Sequence, residues 1–367
     1  MPVHPSALSL FPNCVTRPAL ADTAFLAACG CYMNLNLSGQ ITPSIDFAHD
    51  GVQHGFLRLP HSRNDSAWGA ILIPIFQLKN GAGPTALITG GNHGDEYEGP
   101  IALFSLAVEA QIERIRGRVI VIPAMNYPAF CAATRVSPVD GHNLNRIFPG
   151  NPRGTVTEQI ADYFTSTLLP LADFVLDIHS GGKTLDFVPL AAVHRLESQT
   201  QYDACFAAMR AIGAPYQLIM HSMGVAGLYD SQAEAMGKVF VTTELGGGGT
   251  TTPASVEIAE RGVRNFLIHA GILEEEPTLS QQTPILLDSS VENSHVYSEN
   301  AGLLRPLATL GEMVTKGQPL ADVHEHSCTG TPPKRYHASR DGMLICRHLP
   351  SLIQPGDCMY VIAKVVQ

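Results

Sequence analysis

Short apolar runs alternate with segments of helical spacing from about residue 69 to about residue 275, the pattern of an α/β domain built on a largely parallel sheet. Gly69 to Leu78, Thr85 to Thr89 and Arg118 to Pro123 read as strands. Gly99 to Ile115 reads as a helix, with Pro100 in its first turn, where a missing N–H is tolerated, and Gly117 beyond its end. Thr155 followed three residues later by Glu158 fits a capping box, so a helix is expected through Ile160, Tyr163 and Phe164 to Leu169, before Pro170. Asp173 to Ile178, Tyr216 to Met220 and Lys238 to Thr243 have strand character, while Ser198 to Gly213 and Ser255 to Leu273 have helical spacing.

The pattern changes after Glu274-Glu275-Glu276-Pro277, an acidic run read as a solvated boundary. From about residue 285 short β-like pieces are separated by Gly, Pro and Asp, as in Gly302-Leu303-Leu304-Arg305-Pro306, which predicts a small all-β domain. The expected layout is an N-terminal extension over 1–44, a catalytic α/β domain over 45–280 and a C-terminal β domain over 281–367. Residues 1–32 lack the charged start and clean apolar core of a targeting signal. An extension, or a start at Met33, is the expected reading.

Composition narrows the function. At 367 residues the chain exceeds one ordinary core, and 45% hydrophobic against 15% charged residues is the balance of a folded protein. A net charge of -10 leaves no basic footprint for nucleic acid. No apolar run is long enough to cross a bilayer, so a soluble protein with no membrane partner is expected. The eight cysteines are scattered without paired CxxC spacing, which fits reduced thiols in a cytoplasmic enzyme, and a homo-oligomer is left open.

The chemistry concentrates where predicted strands end. Gly90-Gly91-Asn92-His93-Gly94-Asp95-Glu96 follows the strand Thr85 to Thr89 and puts a histidine and a glutamate three apart in a glycine-rich turn, from which both can reach one ion. A second apolar run, Leu176-Asp177-Ile178-His179-Ser180-Gly181, delivers His179 into another such turn. Three protein ligands of this kind are typical of catalytic zinc, because they leave a fourth position for water or substrate. Asp177 is a candidate to support the ligand or merely to cap the strand. A third strand ends in Glu244-Leu245-Gly246, aiming Glu244 at the same sheet edge as a candidate general base. Arg135 and the stretch Asn143-Leu144-Asn145-Arg146 are anion-binding types, suited to a carboxylate or to the oxyanion formed when water adds to an amide. Ser180 beside His179 raises a serine-hydrolase alternative, but no GxSxG elbow occurs.

The ordered motifs Gly91-Asn92-His93-Gly94-Asp95-Glu96, Asn143-Leu144-Asn145-Arg146 and Asp177-Ile178-His179-Ser180-Gly181 resemble those of the aspartoacylase and succinylglutamate desuccinylase family, itself similar to zinc carboxypeptidases. The resemblance covers roughly residues 45 to 367. It implies a carboxypeptidase-like α/β fold, with a mixed, mostly parallel sheet flanked by helices and a C-terminal β domain that narrows access to the site. It also implies one zinc ion per chain on His93, Glu96 and His179, catalysis by Glu244, oxyanion help from Arg135 and carboxylate binding by Asn145 and Arg146. The stretch Asp50 to Pro60 and the run Gly90 to Pro100 look like the branch that deacetylates N-alpha-acetyl-L-2,4-diaminobutyrate during ectoine breakdown. The small-molecule substrate is therefore expected to be an N-acyl amino acid. N-acetylaspartate, N-succinylglutamate and a C-terminal peptide are the rival substrates. Glu98 or Asp186 is a candidate partner for a substrate ammonium. The tail resembles the barrel-sandwich fold of biotinyl and lipoyl domains, which raises a carrier or binding module as a further alternative, yet the residues around Glu325-His326 contain no lysine for attachment. His324 and His326 are read as ordinary strand or loop histidines.

Overall fold

In the computed structural model, residues 41–109, 111–220, 226–278, 283–289 and 292–366 are described. The expected 1–44 extension falls almost wholly outside them. The chain enters through β1 (Thr42–Pro43), β2 (Gly51–Pro60), β3 (Ala70–Asn80), β4 (Thr85–Gly90), β5 (Gly117–Ile122) and β6 (Phe174–His179). It continues through β7 (Leu185–Phe187), β8 (Leu190–His194), β9 (Tyr216–Met220), β10 (Val239–Glu244) and β11 (Ile285–Asp288).

Three of these strands explain the layering. Successive side chains of a strand face opposite ways, so an unbroken apolar run must be covered on both sides. On β4, Ala86 and Ile88 enter one core while Leu87 enters another. Val119 and Val121 against Ile120 and Ile122 on β5, and Leu176 and Ile178 against Val175 on β6, divide in the same way. The first core is closed by the helices Glu98–Glu109, Gln199–Ile212 and Pro253–His269, through Leu103, Met209 and Phe266. The second is closed by the helices Val156–Tyr163 and Tyr229–Ala235, through Ile160 and Tyr229. Each such fully buried aliphatic side chain stabilises the fold by roughly 1.5–3 kcal/mol.

The sheet is parallel in its centre, where β5, β4, β6 and β10 lie side by side. Both flanks join this centre through antiparallel pairs: β1, β2 and β3 lead antiparallel into β5 on one side, and on the other β10 meets β8 antiparallel, beyond which β8, β9 and β11 are parallel to one another. The expected parallel arrangement thus describes the ligand-bearing centre, and the long β2–β3 hairpin accounts for the antiparallel edge. Beyond β8 the sheet runs through β9 and β11 into the C-terminal strands.

Those strands are β12 (His295–Tyr297), β13 (Gly302–Pro306), β14 (Met313–Val314), β15 (Pro319–His324), β16 (Lys334–His337), β17 (Gly342–His348), β18 (Leu352–Ile353) and β19 (Cys358–Val365). β19 pairs with β11, and β17 pairs with β7, whose Asp186 meets Arg347 at 2.9 Å. The large sheet therefore takes strands from both sides of the expected domain boundary. β16, β15, β13 and β18 form a separate four-stranded antiparallel sheet. No helix among the described residues is long and apolar enough to cross a membrane.

Three element boundaries differ from expectation. The helix expected to reach Ile115 ends at Glu109, and a short turn follows at Ile112–Arg114, because Ile115 bridges to Leu273 and Arg116 N–H donates to Ile272 O. The last long helix stops at His269, not Leu273, since Gly271 takes the left-handed conformation (φ +69°) that terminates helices. The helix after Thr155, whose N–H donates to Glu158 Oε2 at 2.7 Å, runs past Pro170 to Leu171 through a widened turn at Phe164–Leu168.

Candidate metal centre and active site

β4, β6 and β10 end at one edge of the sheet. Glu244 lies beside His179 in the β10–β6 register, and Gly90 lies beside Ile178. The turn after Gly90 can fold back only because of its glycines. A Cβ on Gly94 would stand 2.0 Å from the Ala129 backbone, so this position admits no other residue without displacing the chain that carries Arg135.

His93, Glu96 and His179 converge there, buried, with one potential ligand atom from each lying within 4.8 Å of the others. Both imidazoles present Nδ1 to the carboxylate, His93 at 2.7 Å from Glu96 Oε1 and His179 at 2.8 Å from Glu96 Oε2. Their opposite nitrogens are pinned. His179 Nε2 lies 2.7 Å from Asp177 Oδ2, and His93 Nε2 lies 3.2 Å from Asn143 Oδ1. Acceptors at both Nε2 atoms fix the tautomer in which each Nδ1 offers its lone pair to the shared point, the arrangement of carboxylate–histidine–metal sites. Asp177 is itself held by Thr89 Oγ1 at 2.7 Å and Asn92 Nδ2 at 3.0 Å. Two imidazole nitrogens and one carboxylate, all oriented before any ion arrives, make a donor set fitted to a divalent cation. Among the described residues no other such group occurs, and neither His324 nor His326 joins one.

The ionisation of these groups follows from their packing. Burial raises the Glu96 carboxyl, but His93 and His179 outweigh it and hold it below the usual carboxylate range. Burial lowers His93. Burial also opposes charge on His179, yet Asp177 and Glu96 raise its pKa well above the ordinary imidazole value. A metal on Nδ1 replaces the protons these carboxylates otherwise attract.

Glu244 is enclosed by protein but opens onto the cavity. Burial pushes its carboxyl up to about 8, with Glu96 adding repulsion and with His179 and Arg135 opposing. Its Oε2 has no hydrogen-bond partner among the described residues. A carboxyl with a free oxygen and a pKa near neutrality can both accept and return a proton. Glu98, raised by burial, lies behind it and accepts from Ser255 Oγ at 3.1 Å.

Arg135 Nη1 reaches 3.4 Å from His93 Nδ1 and 3.5 Å from Glu96 Oε1, at the metal end. Asn145 Oδ1 accepts from Tyr229 N–H at 2.9 Å, and Arg146 Nη1 donates to Asn145 O at 2.6 Å. Burial and the like charge of Arg135 lower the Arg146 pKa, and Asp230 opposes them. All seven candidate residues line one cavity of about 670 Å³, whose remaining walls include His194, Asp230, Tyr297 and Cys346.

Several expectations need amendment. Asp186 is paired with Arg347, and neither it nor Glu98 lines the cavity, so both lose their candidacy as ammonium partners. Ser180 is buried with its N–H on Glu96 Oε2 at 3.2 Å, serving the metal end and not a nucleophile elbow. Asn143, expected only as part of an anion-binding stretch, supports His93 instead. Its signal is its own side chain, which caps Asn145 N–H at 3.0 Å and so turns Oδ1 toward His93.

Residues 82–270 match the family model described as succinylglutamate desuccinylase/aspartoacylase catalytic domain. The chain is 50% identical over 327 residues to the N-alpha-acetyl-L-2,4-diaminobutyric acid deacetylase of Halomonas elongata, covering 89% of this chain and 96% of that protein. It is similar to the product-bound structure of the ectoine utilization protein EutE (DoeB) from Ruegeria pomeroyi, with TM-score 0.86, 55% identity, and 89% and 99% of the two chains covered. A succinylglutamate desuccinylase/aspartoacylase from Rhodobacter sphaeroides matches with TM-score 0.85 and 38% identity over 89% and 99% of the two chains.

Proposed function

Since the chain belongs to the succinylglutamate desuccinylase/aspartoacylase family, we propose that it is a zinc-dependent deacetylase converting N-alpha-acetyl-L-2,4-diaminobutyrate and water to L-2,4-diaminobutyrate and acetate. The choice of substrate is supported by the likeness to the Halomonas elongata deacetylase. The chemistry is supported by one observation: both histidines face Glu96 through Nδ1 while Asp177 and Asn143 occupy their other nitrogens.

Zinc held by His93, Glu96 and His179 would supply Lewis acidity to the acetamide carbonyl and acidify water beside it. The chain's own residues divide the remaining work. Glu244, whose side chain lines the cavity, takes the proton of the attacking water on its carboxylate and returns it to the departing amine nitrogen, so that the C–N bond breaks with neutral amine leaving. Arg135, beside Glu96, donates to the carbonyl oxygen as it becomes an oxyanion. Asn145 and Arg146 hold the substrate carboxylate, the latter through a guanidinium that lines the cavity and is weakly hydrated by nature. The five described cysteines are free thiols, consistent with work in the reducing cytoplasm.

The test is the zinc-loaded enzyme assayed against N-acetyl-diaminobutyrate, N-acetylaspartate, N-succinylglutamate and a C-terminal peptide. The diaminobutyrate derivative is expected to have the highest kcat/KM; any other ranking overturns the substrate assignment.

A further inference from the structure

The proposed substrate carries two charges besides its amide, an α-carboxylate and a side-chain ammonium, and the residues considered so far meet only the first. We propose that Asp230 is the ammonium-binding residue that sets specificity for a cationic side chain; this rests on the deacetylase reading above.

Asp230 opens the short helix Tyr229–Ala235, directly after the residue whose N–H binds Asn145, so the carboxylate and ammonium subsites are built on neighbouring backbone. One of its oxygens, Oδ1, is committed to Ser231, accepting from both the backbone N–H and Oγ. The other, Oδ2, faces His194 Nε2 at 3.9 Å, beyond hydrogen-bonding distance. No arginine or lysine among the described residues pairs with Asp230.

The adjoining His194 does not neutralise it. His194 Nδ1 lies 3.1 Å from both oxygens of Glu234, a geometry that needs one proton between them. Burial opposes the imidazolium, but Glu234 and then Asp230 raise the His194 pKa, so the proton stays in the pair. One imidazole can neutralise at most one of the two carboxylates beside it, so His194, Glu234 and Asp230 together keep a net negative charge. The cavity is therefore bipolar, with Arg146 and Asp230 in its wall and no salt bridge between them. A zwitterionic amino-acid end satisfies both, carboxylate on the guanidinium and ammonium on Oδ2. The other candidate acid, Glu292, is solvent-exposed at the cavity wall, where an ammonium would keep its hydration and gain little. Binding an ammonium in the enclosed part of the wall also rejects uncharged analogues, which would leave Oδ2 unpaired.

The experiment compares zinc-loaded wild type, Asp230→Asn, Asp230→Ser and Glu292→Gln on two substrates: N-acetyl-L-2,4-diaminobutyrate and N-acetyl-L-norvaline, which replaces the ammonium with a methyl. Asn can still accept from Ser231 while presenting an NH2 donor where Oδ2 was. A charge-assisted bond of this type corresponds to a preference of about 10- to 100-fold. The wild-type preference for the cationic substrate should collapse by that factor in both Asp230 variants, through a higher KM for the cationic substrate and a higher kcat/KM for norvaline, which no longer leaves Oδ2 unpaired. Because the readout is a ratio within one preparation, loss of folded enzyme cancels. An equal fall on both substrates would make Asp230 a structural residue and overturn the inference. So would a ratio preserved in the Asp230 variants, or one that collapses instead in Glu292→Gln. A wild type that does not prefer the cationic substrate would remove the parent reading and the subsite with it, a failure visible without any variant.

Discussion

The two ends of the cavity are built in opposite ways. At the metal end, His93, Glu96 and His179 are buried at the ends of parallel strands, and Asp177, Asn143, Thr89 and Asn92 fix their orientation. At the far end, Arg146 stands exposed on a short turn and Asp230 partly buried on a short helix, and β12, β17 and β19 contribute to the remaining wall. The difference teaches a division of labour. Rigid strand ends hold the chemistry, which tolerates little displacement, while loops and added strands shape the space that selects a substrate.

The largest expected effect falls at the metal end. Glu244→Gln should lower kcat by about 10²- to 10⁴-fold while leaving metal content and KM close to wild type, as kinetics beside elemental analysis would show. Loss of metal together with activity would instead make Glu244 part of the ligand set. Next is Asp177→Asn, which should weaken metal affinity by about 10- to 100-fold in a competitive chelator titration without altering the substrate ranking. A change in ranking would blur the division between the two ends. At the far end, Arg146→Gln should raise KM by about tenfold or more with kcat little changed, and metal content should stay intact.

The smallest effect is on stability and needs the chelated protein. The Glu244 carboxyl is raised from 4.5 in the unfolded chain to about 8 in the folded one, so between those values the native state holds a proton that the unfolded chain has released. The stability it contributes is full below pH 4.5 and is lost as pH rises to about 8. Chemical denaturation across that window should show a decline that Glu244→Gln flattens. An unchanged slope would mean that Glu244 is already ionised in the folded protein.

This division also decides what could be read in the sequence. The metal end was legible because each piece is local: an apolar run, a glycine-rich turn, and a histidine or glutamate between them. Those signals place His93, His179 and Glu244 at strand ends, and the β10–β6 register puts two of them side by side. The far end was not legible in that way. Whether a carboxylate is available depends on what folds against it. Asp186 looked open, but its partner Arg347 lies 161 positions away. Asp230 carries no local signal of its role, and the pairing beside it joins His194 and Glu234, 40 positions apart. Asn143 meets His93 across 50 positions. The element boundaries that moved did so for the same reason, the bridge between Ile115 and Leu273 being formed by segments distant in the chain.

The central claim is that His93, Glu96 and His179 hold a catalytic zinc ion. Elemental analysis and activity measured together, on wild type, on chelated protein and after adding zinc back, address it most directly. Expected are one zinc per chain, activity that disappears with the metal and returns with it, and a His179→Ala variant that neither retains zinc nor recovers. Full activity in metal-free protein, or stoichiometric zinc retained with unchanged affinity in His179→Ala, would contradict it.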